Sequence, residues 1–143
     1  MGLWYTLPMQ PITIETIVNE SVEKVWTFYT DPVHITKWNH ASDDWHSPRA
    51  TNDLRVGGTF SSRMEAKDGS MGFDFAGTYD EVEVHKVIAY HMLDRKVRVV
   101  FTEMGNSTHV VVTFDPETQN PIEMQKGGWQ SILDNFRKYT ETH

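Results

Sequence analysis

Histidine and carboxylate side chains are the first groups in this sequence that could do chemistry. His34, His40 and His46 recur every six residues, close to Asp43 and Asp44. Imidazole and carboxylate groups are common zinc ligands. A six-residue spacing does not match the i, i+4 pairing by which one helix face holds a metal, and the surrounding segment is polar and aperiodic. We therefore interpret these side chains as part of a solvated loop and predict no metal site.

The sequence carries no catalytic motif. It has no Gly-x-Ser-x-Gly, no phosphate-binding glycine loop and no His-Glu-x-x-His. It has 0 cysteines, which excludes a thiolate nucleophile, a cysteine zinc site and disulfide bonds. Adjacent carboxylates are expected by chance when 20 of 143 residues are acidic, so none singles out a general acid and base. Catalytic residues are left unassigned, and we predict no cofactor.

Large apolar side chains give a stronger signal. Aromatic residues make up 12% of the chain, and many fall at positions predicted to point inward. Binding pockets are mostly apolar with a few polar groups, and methionine adapts to irregular shapes. The alternative interpretation is an ordinary filled core. The candidate ligand-binding residues are Trp38, Phe60, Ser62, Met64, Phe73, Phe75, Tyr79, Tyr90, Met92, Phe101, Gln125, Trp129 and Leu133.

Gln125 is a polar residue within the apolar stripe of the last predicted helix. At 100° per residue it lies about 40° from Trp129, on the same face. Burying its amide without partners would cost about 1–3 kcal/mol. Two hypotheses stay open. Gln125 either points into the mouth of the cavity and hydrogen-bonds a ligand or an ordered water, or it does not face the cavity. In the second case the first helical turn overhangs the sheet, or Gly127-Gly128 bends the helix and shifts its phase.

Length and charge indicate a single domain and argue against nucleic-acid-binding and membrane-spanning proteins. A chain of 143 residues is long enough for one domain with a substantial core. Its formal net charge of −7 repels phosphate backbones, so we predict no nucleic-acid partner. The longest apolar runs are a few residues, which predicts no membrane span. No secretory signal precedes the domain, so a cytoplasmic location is expected.

The first elements can be read from periodicity and capping. Ile12–Val18 alternates and is rich in β-branched residues, which predicts a strand. Ser21 then caps a helix whose apolar side chains recur at helical spacing from Val22. Asp31, followed by Pro32, begins a second short helix. Residues 39–53 are polar and aperiodic, which predicts a loop.

After Gly57 and Gly58 the apolar period changes to two. Asp68-Gly69 and Gly105-Asn106 are typical turns, and Gly77 in mid-strand predicts a bulge or bend. Strands joined by such short turns form an antiparallel meander. The remaining predicted strands begin near Phe60 and Phe73 and then cover 88–93, 97–103 and 108–114.

The chain ends in a long amphipathic helix. Asn120 is its predicted cap, Pro121 its first residue and Glu123 the acid of a capping box. The apolar face runs from Ile122 to Tyr139, so the helix needs a long apolar partner, and the curved sheet is the available one. The predicted fold is α+β, in the order strand, two short helices, meander and long helix.

Several motifs carry a family resemblance. Trp38, the segment Asp53–Phe60 (DLRVGGTF), Asp68-Gly69 and the segment Phe75–Val82 (FAGTYDEV) resemble the heat-shock-protein-90 ATPase-activator homologue family of the START-like (SRPBCC) superfamily. Met124 and Gly128-Trp129 are similar to its closing helix. The likeness implies a helix-grip fold, in which about seven antiparallel strands wrap around the last helix and leave a cavity. It also implies a START-like domain at 12–143, and we predict residues 1–11 to be a flexible leader.

The resemblance implies three functions. The leading expectation is a module that binds a small apolar or amphipathic molecule between sheet and helix. The alternatives are a polyketide cyclase or dehydratase-like enzyme, with Tyr79, Tyr90, His91 or His109 moving protons, and a co-chaperone-type domain that binds a chaperone in the stress response. A monomer or weak homodimer is expected in each case.

Overall fold

The computed structural model describes residues 10–143. Its elements are β1 (Ile12–Val18), α1 (Val22–Thr30), α2 (Pro32–Trp38), β2 (Trp45–His46), β3 (Ala50–Asn52), β4 (Thr59–Ala66), β5 (Gly72–Glu83), β6 (Val87–Met92), β7 (Arg95–Met104), β8 (Ser107–Phe114) and α3 (Ile122–Thr142). Residues 1–9 of the predicted leader lie outside the described part of the chain.

The sheet is antiparallel throughout and confirms the predicted helix-grip architecture. Its strand order is β1-β8-β7-β6-β5-β4-β2, and β3 also pairs with β4, beside β2. Strands β4 to β8 form the predicted meander, and β1 returns to pair with β8. The sheet curls into a half-barrel around α3. Seven strands therefore follow one another across the sheet, with β3 as an eighth short strand.

The short helices begin where the caps predict. The Ser21 hydroxyl accepts a hydrogen bond from the Lys24 backbone N–H at 3.3 Å. The Asp31 carboxylate accepts one from the Val33 N–H at 3.0 Å, with Pro32 at the first helical position. These side chains satisfy backbone donors that a helix leaves free at its N-terminus, which fixes both boundaries.

Three sequence expectations about local structure are wrong. Residues 39–53 contain the strands β2 and β3, whose pairing is supplied by β4 rather than by their own polar sequence. The register shift in β5 lies between Tyr79 and Glu81, not at Gly77. Asn120 does not cap α3, because Pro121 occupies that position and no side chain there accepts a helical N–H.

The main core lies between the concave face of the sheet and the helices. Helix α3 packs along β1 and against both short helices. Phe114 of β8 and Phe136 of α3 are 0% exposed, and Trp26 of α1 is also buried. Within residues 10–143, no helix is both long and apolar enough to cross a membrane.

Candidate functional site

A cavity of about 210 Å³ lies between the sheet and the helices. Strands β4, β5 and β6 contribute most of one wall, α3 contributes the opposite wall, and α1 and α2 close one side. Phe73 lines the cavity and is 51% exposed, so the cavity reaches the surface at this point. The Trp45 ring of β2 lies 6.1 Å from the Phe73 ring, which places β2 at the mouth.

The structure brings 10 of the 13 candidate residues together around this cavity. The strand alternation was informative, because Phe60, Ser62 and Met64 of β4 all face it. The Phe60 ring packs against Tyr90 at 4.7 Å and Tyr79 at 5.3 Å between centroids. The ten lining residues are Trp38, Phe60, Ser62, Met64, Phe73, Phe75, Tyr79, Tyr90, Trp129 and Leu133.

Trp129 is the aromatic anchor of the α3 wall. Its ring stacks on Phe114 with centroids 4.0 Å apart and planes 9° apart. It also meets the Phe75 edge at 5.9 Å. Trp129 is partly buried and keeps some accessible surface, rather than filling the core as Phe136 does. The residue therefore joins the helix to the sheet and lines the cavity at once.

Phe101 and Met92 do not line the cavity, contrary to expectation. Phe101 points to the concave face but lies under α1, with its ring 5.2 Å from Trp26 and 5.5 Å from Tyr29. Met92 ends β6 and packs against the edge of the core. Strand alternation predicts the face of the sheet correctly, whereas the element that covers each position depends on tertiary packing.

Gln125 does not reach the cavity either. Its Oε1 accepts a hydrogen bond from the Glu117 backbone N–H at 2.8 Å, and its Nε2 donates to the Glu117 and Asn120 carbonyls at 3.0 and 2.8 Å. The residue is 8% exposed, so its partners are backbone groups of the β8–α3 connection. Gln125 ties that connection to the first turn of α3, and its hypothesised role at the cavity mouth is wrong.

Sequence reasoning identified Trp38 of the wall formed by the short helices and missed the rest of that wall. Tyr29 and Thr30 of α1, Ile35 of α2 and Asn39 line the cavity. Tyr29 lies on the same apolar helix face as Val22, Val25 and Trp26, and that pattern could have identified it. The other residues missed are Ile14, Ile88, Val112 and Ile132, which share strand or helix faces with predicted core positions.

Three tyrosines give the cavity most of its polar character. The Tyr79 hydroxyl donates to the Asn52 Oδ1, and the Asn52 amide donates to the Thr30 carbonyl at 2.6 Å. Burial raises the pKa of Tyr79 to about 12. Burial also raises the pKa of Tyr29 and that of Tyr90, and neighbouring phenols add to both shifts. All three hydroxyls therefore keep their protons at neutral pH.

The model of one family, described as Activator of Hsp90 ATPase homolog 1-like protein, matches residues 19–141. The chain belongs to this AHSA1-like family. A solved AHSA1-like protein from Aeromonas hydrophila is 45% identical, with a TM-score of 0.86 and 92% of each chain covered. A protein from Cytophaga hutchinsonii is 53% identical, with a TM-score of 0.80 and the same coverage of 92% of each chain.

More distant structures share the fold alone. A protein from Nitrosomonas europaea is 18% identical, with a TM-score of 0.80 and coverage of 93% of this chain and 95% of that one. The search of curated proteins returned no significant match. The family assignment thus confirms the resemblance drawn from the motifs, including its START-like (SRPBCC) superfamily.

The glycine motif of this AHSA1-like chain positions two cavity residues. Gly57 has a φ of +82°, which favours glycine, and its N–H donates to the Tyr79 carbonyl at 2.9 Å. The Tyr79 N–H returns a bond to the Gly58 carbonyl at 2.9 Å. A Cβ at Gly58 would overlap the Asp53 carbonyl. This tight turn fixes where β4 begins and holds Tyr79 beside Phe60.

A second close approach explains Gly77. It faces Phe60 in the β4–β5 register, and a Cβ there would lie 2.9 Å from the Phe60 ring and 2.8 Å from the His91 carbonyl. The Phe60 ring thus occupies space that any other residue at position 77 would fill. In the AHSA1-like chain this glycine lets an aromatic ring lie flat on the sheet next to the cavity.

The histidines considered for catalysis lie away from the cavity. His91 Nδ1 is 2.8 Å from Asp80, and His109 Nε2 is 3.0 Å from Glu15. Neither histidine lines the cavity. His34, His40 and His46 do not assemble: His34 Nδ1 is 2.8 Å from the Tyr139 hydroxyl, whereas His46 pairs with Glu65. Across residues 10–143, no three His, Cys, Asp or Glu side chains are grouped to hold a metal.

Proposed function

We propose that this AHSA1-like domain binds a small apolar or amphipathic molecule in the cavity between the sheet and α3. The observation that supports the proposal is an aromatic-lined space of about 210 Å³ among residues 10–143. Protein interiors are ordinarily packed to crystal density with few voids larger than water. An engineered apolar cavity of about 150 Å³ stays dry and binds benzene. A cavity of this size and lining therefore favours a ligand larger than a single ring.

The lining supplies the energy that such binding needs. Phe60, Phe75 and Trp129 present ring faces and edges, and aromatic pairs add to the free energy of burying apolar surface. Met64 in the lining can adapt to ligands of different shape. Because Phe73 is half exposed, a ligand can enter without unfolding an element.

Native mass spectrometry of freshly purified protein is the first test, because it would report a retained ligand and its mass. The second test is titration with naphthalene, followed by the indole N–H signals in NMR spectra. Trp129 lines the cavity, whereas Trp26 is a core tryptophan that does not, so Trp26 is the internal control. We expect the Trp129 signal to shift with saturation and the Trp26 signal to change little. Equal shifts, or no shift at saturating naphthalene, would contradict the proposal.

The cyclase or dehydratase alternative has less support. In the described part of the chain, no carboxylate, imidazole or amine lines the cavity, and the tyrosines that line it have raised pKa values. General acid–base catalysis is most efficient when the pKa of the group lies near the working pH. The residues at hand therefore favour binding over proton transfer.

A chaperone partner is supported by the name of the family alone. Its test is direct: the ATPase rate of purified Hsp90 is measured with and without the domain, and with boiled domain as the control. Stimulation that saturates with domain concentration would support this second role. A cytoplasmic location and a monomeric or weakly dimeric state remain part of the same proposal.

A further inference from the structure

Three hydroxyl groups line the cavity without a hydrogen-bond partner. Tyr29 of α1, Ser62 of β4 and Tyr90 of β6 all contribute to the lining. Ser62 is 5% and Tyr90 8% exposed, so protein covers most of each residue. Within the described residues, no side chain or backbone group bonds to these hydroxyls. Tyr79, in contrast, already donates its proton to Asn52.

A hydroxyl that lines an apolar cavity and has no protein partner is informative, because only a molecule inside the cavity can bond to it. Leaving such a donor unpaired forfeits the hydration that it has in the unfolded chain. Native proteins satisfy most buried polar groups, through protein or ordered water. Tyr29 comes from the side that α1 and α2 close, and Tyr90 comes from the sheet wall. A ligand atom between them could accept a hydrogen bond from each.

Among the residues that the structure describes, no Asp, Glu, Lys, Arg or His lines the cavity. A carboxylate or an ammonium group would lose its hydration there without gaining an ion pair, and burial of an unpaired ion is strongly unfavourable. The tyrosine protons are retained because burial raises the pKa of both phenols. The free groups are therefore neutral donors.

We infer that the cavity selects an uncharged ring compound that carries a neutral acceptor oxygen, such as a ketone, and that the free hydroxyls of Tyr29, Tyr90 and Ser62 supply the one or two hydrogen bonds which that oxygen accepts. The inference rests on the proposed ligand-binding function and names its ligand class. The aromatic walls contact the ring of the ligand, and the hydroxyls donate hydrogen bonds to its oxygen. Specificity follows because a compound without the oxygen leaves the buried donors unpaired, and a charged one is not neutralised.

The test uses three naphthalenes of equal size that differ only in the side group. 2-Acetylnaphthalene carries a ketone, 2-isopropylnaphthalene replaces it with an apolar group of the same shape, and 2-naphthoate replaces it with a charge. Dissociation constants are measured at pH 7 for the wild type and for Tyr29→Phe, Tyr90→Phe and Ser62→Ala. The control variant is Tyr139→Phe, because the Tyr139 hydroxyl contacts His34 and lies outside the cavity.

We expect the ketone to bind wild type about 10-fold or more tightly than either analogue, as one or two neutral hydrogen bonds allow. Tyr90→Phe and Tyr29→Phe should each weaken ketone binding by about 3–10-fold and leave isopropylnaphthalene binding within about twofold. Tyr139→Phe should change neither affinity. Thermal unfolding of each variant shows whether it is folded.

The outcomes separate this inference from the proposal on which it rests. Equal affinity for the ketone and the isopropyl compound, unaffected by the three variants, would overturn the inference and leave apolar ligand binding intact. Tightest binding of the naphthoate would also overturn it. No binding of any of the three compounds by folded wild-type protein would overturn both.

Discussion

Gln125→Met is a sharp test of how α3 is joined to the sheet. Methionine matches glutamine in length but has no amide. The substitution removes the acceptor of the Glu117 N–H and the donor to the Glu117 and Asn120 carbonyls, at 2.8, 3.0 and 2.8 Å. At 8% exposure the site admits little water to replace those bonds. The free energy of unfolding should therefore fall.

The size of the effect follows from the three hydrogen bonds. A net contribution of about 0.5–1.5 kcal/mol per bond, offset by the apolar gain of methionine and by partial rehydration of the connection, gives a loss of about 1–3 kcal/mol. With a urea m-value of about 2 kcal/mol/M, the unfolding midpoint should drop by about 0.5–1.5 M. Urea titrations followed by circular dichroism measure this shift.

Lys126→Met is the matched control for Gln125→Met. It makes a substitution to the same residue one position along the same helix, at an exposed site. Exposed substitutions usually change stability by less than about 0.5 kcal/mol. If both variants unfold at the same urea concentration as wild type, the Gln125 amide does not hold the connection and the reasoning fails. Binding of naphthalene should be unchanged in both.

Three further predictions concern stability. Gly77→Ala should lower the free energy of unfolding by about 1–3 kcal/mol, because the added Cβ would lie 2.9 Å from the Phe60 ring. Gly128→Ala in α3 has open space around the added Cβ and should raise that free energy by about 0.5–1 kcal/mol. Guanidinium titrations in which both variants change stability in the same direction would contradict this pair of predictions. Trp129→Ala should lower the free energy of unfolding by about 2–4 kcal/mol, since the ring is stacked but not fully buried. An unchanged thermal midpoint would contradict that packing. Backbone N–H groups of the loop lower the pKa of Glu117, so the ionised carboxylate stabilises the fold above about pH 4.5 and this stabilisation is lost as pH falls. The unfolding midpoint of Glu117→Gln should therefore fall less between pH 7 and pH 3 than that of wild type. Identical pH profiles of the two proteins would count against this role.

Local sequence signals predicted the elements whose boundaries are decided locally. Ser21 and Asp31 place the starts of α1 and α2 because each cap bonds to a backbone N–H two or three residues ahead. Alternation placed β1 and β4 to β8 because each has one face on the core. The strands β2 and β3 carry no such signal. They form because β4 has a free edge with which they pair, and the local sequence of β2 and β3 does not show that pairing.

The lining residues of the cavity were predictable where they depend only on which face of a strand a residue occupies. Phe60 and Tyr90 were found because their strands alternate. Phe101 lies on the same concave face but is covered by α1, and Gln125 finds its partners in a connection eight residues back along the chain. Those two outcomes depend on where a helix crosses the sheet and how a loop folds back. Neither is encoded in the spacing of apolar residues.

The pairing of β1 with β8 also determines the order in which the chain can fold. Ile12 pairs with Phe114, and the hydroxyls of Thr13 and Thr113 lie 3.3 Å apart across 100 residues of sequence. During synthesis, β1 therefore leaves the ribosome long before its partner strand exists. The concave face stays open until α3 follows β8. The long sequence separation between β1 and β8 gives the fold a high contact order, which slows folding. Slow folding prolongs the exposure of the unpaired β1 strand to other chains.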